Sequence, residues 1–94
     1  MFSKSVYKIP NGKLVKINLE YDEDSKKIVN ISIMGDFFAY PEEAIDFLEK
    51  ELRSTLLSKK TLINKIDNLT KSNNFEFIGL TSEGLTDGIL RCLK

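Results

Sequence analysis

An Asn11-Gly12 pair set between two runs of alternating apolar residues limits what this chain can fold into more than any other feature. Asn-Gly is the dipeptide that most readily supports the backbone of a tight β-hairpin turn. The runs on either side, Val6-Tyr7-Lys8-Ile9 and Leu14 to Tyr21, are rich in β-branched and aromatic residues and repeat with a period of two, as half-buried strands do. A polar stretch, Asp22-Glu23-Asp24-Ser25, supplies a second turn before a third run, Ile28-Val29-Asn30-Ile31-Ser32-Ile33. The pattern predicts a three-stranded antiparallel meander. In its middle run Val15, Ile17, Leu19 and Tyr21 fall on one face and Lys16, Asn18 and Glu20 on the other, so one face is wet and the other needs a cover.

The cover is expected from helices. Pro41 suits a first helical position, and Glu42 and Glu43 follow where the positive end of the helix dipole favours acids. Ala44, Ile45, Leu48 and Leu52 then form a stripe at helical spacing. A second helix is expected after Ser58 as its cap, with Leu62, Ile63, Ile66 and Leu69 inward and Lys59, Lys60, Lys65 and Lys71 outward. Phe75-Glu76-Phe77-Ile78 is too short to classify by periodicity and reads as a fourth strand or, preferably, as an extended loop. Thr81 or Ser82 then caps a last helix carrying Leu85, Ile89, Leu90 and Leu93. The expected fold is α+β and two-layered: a three-stranded antiparallel sheet covered on one face by helices, in the order βββααα, with residues 1–94 forming one domain.

Ninety-four residues leave little interior for both a core and a deep catalytic pocket, because a chain of this size buries only about 60 to 65% of its unfolded surface. Fourteen basic and fourteen acidic side chains cancel, which disfavours nucleic acid and anionic membranes as partners. The first residues lead into alternating, not continuous, apolar positions, so neither a signal peptide nor a spanning segment is expected and the protein is expected to be cytoplasmic. Histidine is absent, which removes the usual general base and the commonest metal ligand. The single cysteine, Cys92, is either a packed thiol on a leucine-rich face or a nucleophile. Asp22, Glu23 and Asp24 lack calcium-loop spacing. No phosphate-binding G-x-x-x-x-G-K-[ST] occurs, and Gly84 with Gly88 marks either a close-packing helix face or tolerated surface glycines. Lys4, Lys8, Lys13 and Lys16 are either ordinary exposed lysines or an anion-steering row. No catalytic, cofactor-binding or metal-binding residue is expected.

One segment differs from this background. In Gly35-Asp36-Phe37-Phe38-Ala39-Tyr40-Pro41-Glu42-Glu43 two adjacent phenylalanines occupy a strand-to-helix connection. Neighbours on an extended chain point in opposite directions, so one ring can close the core while the other needs a partner surface, unless both are packed. The run G-D-F-F-x-x-P-E-x-x-I-x-x-L-E-x-x-L, carried here by Gly35, Asp36, Phe37, Phe38, Pro41, Glu42, Ile45, Leu48, Glu49 and Leu52, resembles the C-terminal accessory domain of lipoate-protein ligases, which in many archaea is a separate small polypeptide. Gly79-Leu80-Thr81-Ser82-Glu83, opening the last helix, agrees with it. Ser54 departs from the pattern: relatives often carry the glycine that ends the first helix, and serine there implies a different cap.

The resemblance implies a helper without catalytic residues that forms a heterodimer with a catalytic ligase subunit. That larger subunit would hold ATP and lipoate, form lipoyl-adenylate and pass the lipoyl group to a protein lysine. Gly35, Asp36, Phe37, Phe38 and Pro41 are the residues expected to shape the contact with it. Two other classes stay open: a sulfur or cluster-transfer scaffold, which needs Cys92 exposed and reactive, and a module that self-associates through an open sheet edge or the phenylalanine loop.

Overall fold

The computed structural model describes residues 1–93. Strands β1 (Phe2–Lys8), β2 (Leu14–Asp22) and β3 (Lys27–Gly35) form the expected antiparallel sheet in the order β1-β2-β3. Helices α1 (Ala44–Glu51), α2 (Lys59–Ser72) and α3 (Ser82–Leu90) make the second layer, so the α+β reading holds. The β1–β2 connection turns one residue earlier than Asn-Gly alone suggests. Gly12 N donates to Ile9 O at 2.8 Å, which places Pro10 and Asn11 at the centre of the turn. Asn11 has φ +60, and proline followed by a positive φ is the signature of a type II turn.

The inward side chains of β2 (Val15, Ile17, Leu19, Tyr21) are all buried. On β3 the alternation is broken: the pairing register shifts between Glu20 and Tyr21, so Ile28 and Ile31 both face inward while Val29 and Asn30 face out. A β-bulge produces this result, admitting one extra residue to a strand. Leu48 and Leu52 from α1 and its end, Leu62 and Ile66 from α2, and Leu85 and Ile89 from α3 complete the core.

Gly84 and Gly88 belong to the close-packing alternative. A Cβ on Gly84 would lie 2.7 Å from the Ile9 side chain, and one on Gly88 3.1 Å from Val15. The helix therefore lies close over β1 and β2, and Ser5 Oγ donates to Gly88 O at 2.7 Å. On the same helix Thr86 is fully buried and its hydroxyl has no hydrogen-bond partner. An unpaired buried hydroxyl costs stability. Thr86→Val is accordingly expected to leave stability unchanged or raise it by up to about 1 kcal/mol, as chemical denaturation would show.

Three expectations are corrected. Phe75 to Ile78 is not a loop: Glu76–Ile78 is a strand, β5, paired antiparallel with an unexpected strand β4 (Phe38–Tyr40) in a separate two-stranded sheet. Three residues are too few for periodicity to reveal, and the pairing is made by a partner distant in sequence, in the register Phe38↔Ile78 to Tyr40↔Glu76. The order along the chain is therefore ββββααβα. Second, α1 begins at Ala44 and not at Pro41, because β4 keeps the chain extended to Tyr40 and a turn must intervene, closed by Ala44 N donating to Pro41 O at 3.0 Å. Third, Ser54 does not bring a different cap: it adopts the left-handed backbone for which a glycine at a helix end is suited, with φ +67. Its N–H donates to Ile28 O at 2.7 Å, and the segment through Leu57 continues along the outer edge of β3. The backbone there needs the glycine conformation, and serine bears the strain. Ser54→Gly is therefore expected to raise stability by about 0.5 to 1 kcal/mol, the left-handed penalty less the extra freedom of glycine when unfolded.

At the helix starts, Thr81 caps α3 by accepting from Gly84 N at 2.9 Å. Ser58 stands at the N-cap of α2 without making a side-chain bond. Leu93 lies beyond the last helical residue, half-buried against the core.

Candidate functional site

At the end of β3 the chain crosses the start of β2 with almost no clearance. A Cβ on Gly35 would sit 2.1 Å from the backbone oxygen of Leu14 and 3.0 Å from the Phe37 ring. Asp36 N then donates to that same Leu14 oxygen at 3.2 Å. Only glycine permits this approach, so Gly35 acts by aiming the segment that follows. Phe37 turns inward and packs half-buried against the core. Phe38 turns outward and is 60% exposed. The two phenylalanines thus divide, one ring in and one out, and the alternative in which both are packed fails.

The β4–β5 pairing extends this division. Ala39 and its partner Phe77 are half-buried, whereas Phe38, Tyr40 and Ile78 are exposed, Tyr40 at 51% and Ile78 at 50%. Beneath the ribbon runs an aromatic stack: Phe77 meets Phe75 edge-on at 6.2 Å, and Phe75 meets Phe47 of α1 at 5.5 Å. Edge-to-face pairs of this kind add about 0.5 to 1.5 kcal/mol each beyond the area they bury. The ribbon is therefore tied to α1 while its outer face presents three large apolar side chains to solvent. Asp36 and Pro41, at either end of β4, are both exposed. Tyr40 and Ile78 belong to this face but escaped the sequence reading. The alternation Phe38-x-Tyr40 was the available signal, too short to stand without its partner strand.

Glu49 supplies a second unexpected role. Its carboxylate reaches across from α1 and accepts a hydrogen bond from Ile33 N at 2.7 Å, occupying the outer edge of β3 next to the segment Ser54–Leu57. Edge N–H groups left free invite foreign strands. With the β3 edge occupied at Ile28 and Ile33, the more open surfaces for the self-association alternative are β1, where exposed Phe2 and Val6 alternate with Lys4 and Lys8, and the phenylalanine ribbon.

Cys92 is 1% exposed. Burial pushes its thiol pKa up, with a weaker opposing pull from Ser5. A reactive thiol requires the opposite environment, so the sulfur-transfer alternative fails on geometry. Alkylation of the native protein is expected to follow unfolding. A thiol held protonated by the fold contributes stability that is fully present below the unfolded value of about 8.5 and is lost as pH rises through the raised folded value. Stability should therefore decline as pH rises from the unfolded value to the folded one, with a slope that Cys92→Ala reduces.

At the other end of the sheet Asp22 accepts from Ser25 N and Asp24 N, and these bonds lower its carboxyl pKa. It serves the turn. Among the described residues, no group of three histidine, cysteine, aspartate or glutamate side chains is placed to hold a metal ion, and no helix is long and apolar enough to cross a membrane.

No protein-family model matches the chain. It is 41% identical over 59 residues to lipoate-protein ligase A subunit 2 of Thermoplasma acidophilum, an alignment that covers 63% of this chain and 58% of that protein. The chain thus spans little more than half the length of this curated relative. In structure it matches a chain from an archaeal lipoylation system, a bipartite lipoate protein ligase and its E2 lipoyl domain from Thermoplasma acidophilum, with a TM-score of 0.79 and 25% identity over 95% of this chain and 94% of that one. Sequence and fold therefore point to the same system: over 59 residues the chain is similar to lipoate-protein ligase A subunit 2, and over nearly its whole length its fold is similar to a chain of an archaeal bipartite lipoylation system.

Proposed function

We propose that the protein is the non-catalytic accessory subunit of a two-part lipoate-protein ligase. It binds a separate catalytic subunit as a heterodimer and enables that subunit to activate lipoate with ATP as lipoyl-adenylate for protein lipoylation. The observation that carries this reading is the likeness in fold over 95% of the chain to a bipartite ligase system. The exposed face of Phe38, Tyr40 and Ile78 supports it, because Phe38 and Tyr40 lie in the segment that carries the resemblance and Ile78 pairs with it. ATP and lipoate are held by the catalytic subunit. This chain acts as a lid or brace, excluding water and holding the partner's loops in their closed arrangement.

A helper of this kind works only through differential affinity for the activated state. By reciprocity ATP and lipoate must tighten its own association by the same factor, on the order of 5- to 150-fold for ordinary allosteric couplings. Titrating the catalytic subunit of the same genome with this protein, with and without the two substrates, measures that factor directly. Tighter binding in their presence is expected; absence of a complex under both conditions would refute the proposal.

A further inference from the structure

Charge is distributed unevenly around the ribbon. Residues 35 to 49 contain Asp36, Glu42, Glu43, Asp46 and Glu49, while all fourteen lysines and arginines lie elsewhere. Glu49 is committed to the β3 edge. The other four are exposed: Asp36 precedes β4, Glu42 and Glu43 follow it, and Asp46 is in the first turn of α1, which packs against β4. Glu76 adds a fifth exposed carboxylate directly across from Tyr40. Among the described residues none of these five pairs with a cation; the ion pair of the fold is Lys59–Asp87 on the α2–α3 side. The chain as a whole is neutral; around the apolar face the carboxylates outnumber the lysine that lies beside it, Lys13, whose side chain packs against Gly79 next to Ile78.

We infer that the surface which receives Phe38, Tyr40 and Ile78 is an apolar socket rimmed by lysine or arginine side chains of the catalytic subunit. The inference rests on the accessory-subunit reading and specifies the chemistry of its interface. An apolar centre within a charged rim is the usual division of labour in such contacts: the centre sets the lifetime of the complex, and the rim sets orientation and encounter rate. Five carboxylates left unpaired in the free chain are available for that steering, four of them on the segment from Asp36 to Asp46, and their attraction extends over about 8 to 10 Å at ordinary ionic strength.

The test is stopped-flow association with the catalytic subunit of the same genome, from about 50 to about 500 mM sodium chloride. The wild-type rate constant should fall roughly tenfold or more across that range. The combined variant Asp36→Asn, Glu42→Gln, Glu43→Gln, Asp46→Asn should associate roughly tenfold more slowly at the lowest salt and show a flatter salt dependence. Its dissociation rate should change far less. Neutralising Glu23 and Asp24, in the turn at the opposite end of β3, should alter neither rate.

A complex that forms at the same rate with and without the four carboxylates, or whose formation is equally slowed by the distant pair, would overturn the basic rim while leaving the accessory reading intact. Failure of wild-type protein to bind at any salt would overturn both.

Discussion

Gly35→Ala is expected to be the most damaging single-methyl change in the molecule, costing on the order of 3 kcal/mol or more. The added Cβ would meet the Leu14 carbonyl oxygen at 2.1 Å, and that oxygen belongs to the backbone of the central strand. A flexible side chain could yield; a strand paired on both sides cannot without disturbing its ladders. The same oxygen receives the Asp36 N–H, so displacement also removes a hydrogen bond. In a domain of this size the loss corresponds to a fall in Tm of roughly 12 to 24 °C. The other glycines provide the comparison. Gly84→Ala meets only the Ile9 side chain, at 2.7 Å, and Gly88→Ala only begins to crowd Val15, at 3.1 Å. Thermal unfolding should therefore rank Gly35→Ala far below Gly84→Ala, and Gly84→Ala below Gly88→Ala, with the last softened by the higher helix propensity of alanine.

The paired substitution Phe38→Ala and Tyr40→Ala should act in the opposite way, leaving the fold in place and removing its partner. Both rings are more than half exposed, so truncation opens no cavity and should cost the free protein less than about 1 kcal/mol. In a complex they would become buried anchors, and truncating such residues commonly costs about 2 kcal/mol or more each. Association with the catalytic subunit should weaken by about 100-fold or more while Tm shifts by only a few degrees. Met34→Ala, on the open face of the large sheet and also exposed, is the control and should bind normally. Equal weakening in both variants would mean that the ribbon holds no special place in the interface.

The parts of this molecule that were legible in the sequence are those whose signals are local. Alternation along β2 and the helical stripe through Ala44, Leu48 and Leu52 each report a periodic element facing a core; β2 stands where it was read, and α1 does apart from its start. Strand geometry allowed Phe37 and Phe38 to divide but left the packing of both rings open, and only the fold shows Phe38 exposed. What escaped notice was decided by residues distant in sequence. β4 and β5 are three residues each and exist because they pair with one another. The start of α1 moved to Ala44 because β4 holds the preceding residues extended. Glu49 reads as one more acid on an exposed helix face until β3 brings Ile33 N to within 2.7 Å of it. Ser54 shows a subtler limit: the residue type implied a changed cap, yet the hydrogen bond to Ile28 and the pairing that follows impose the left-handed backbone regardless.

The most direct test of the central claim is lipoyl-adenylate formation from ATP and lipoate by the catalytic ligase subunit of the same genome, measured with and without this protein. Adenylate is expected only in the mixture, with the rate saturating as this chain is titrated in and falling with Phe38→Ala and Tyr40→Ala. A catalytic subunit equally fast alone, unmoved by any amount of this protein, would contradict it.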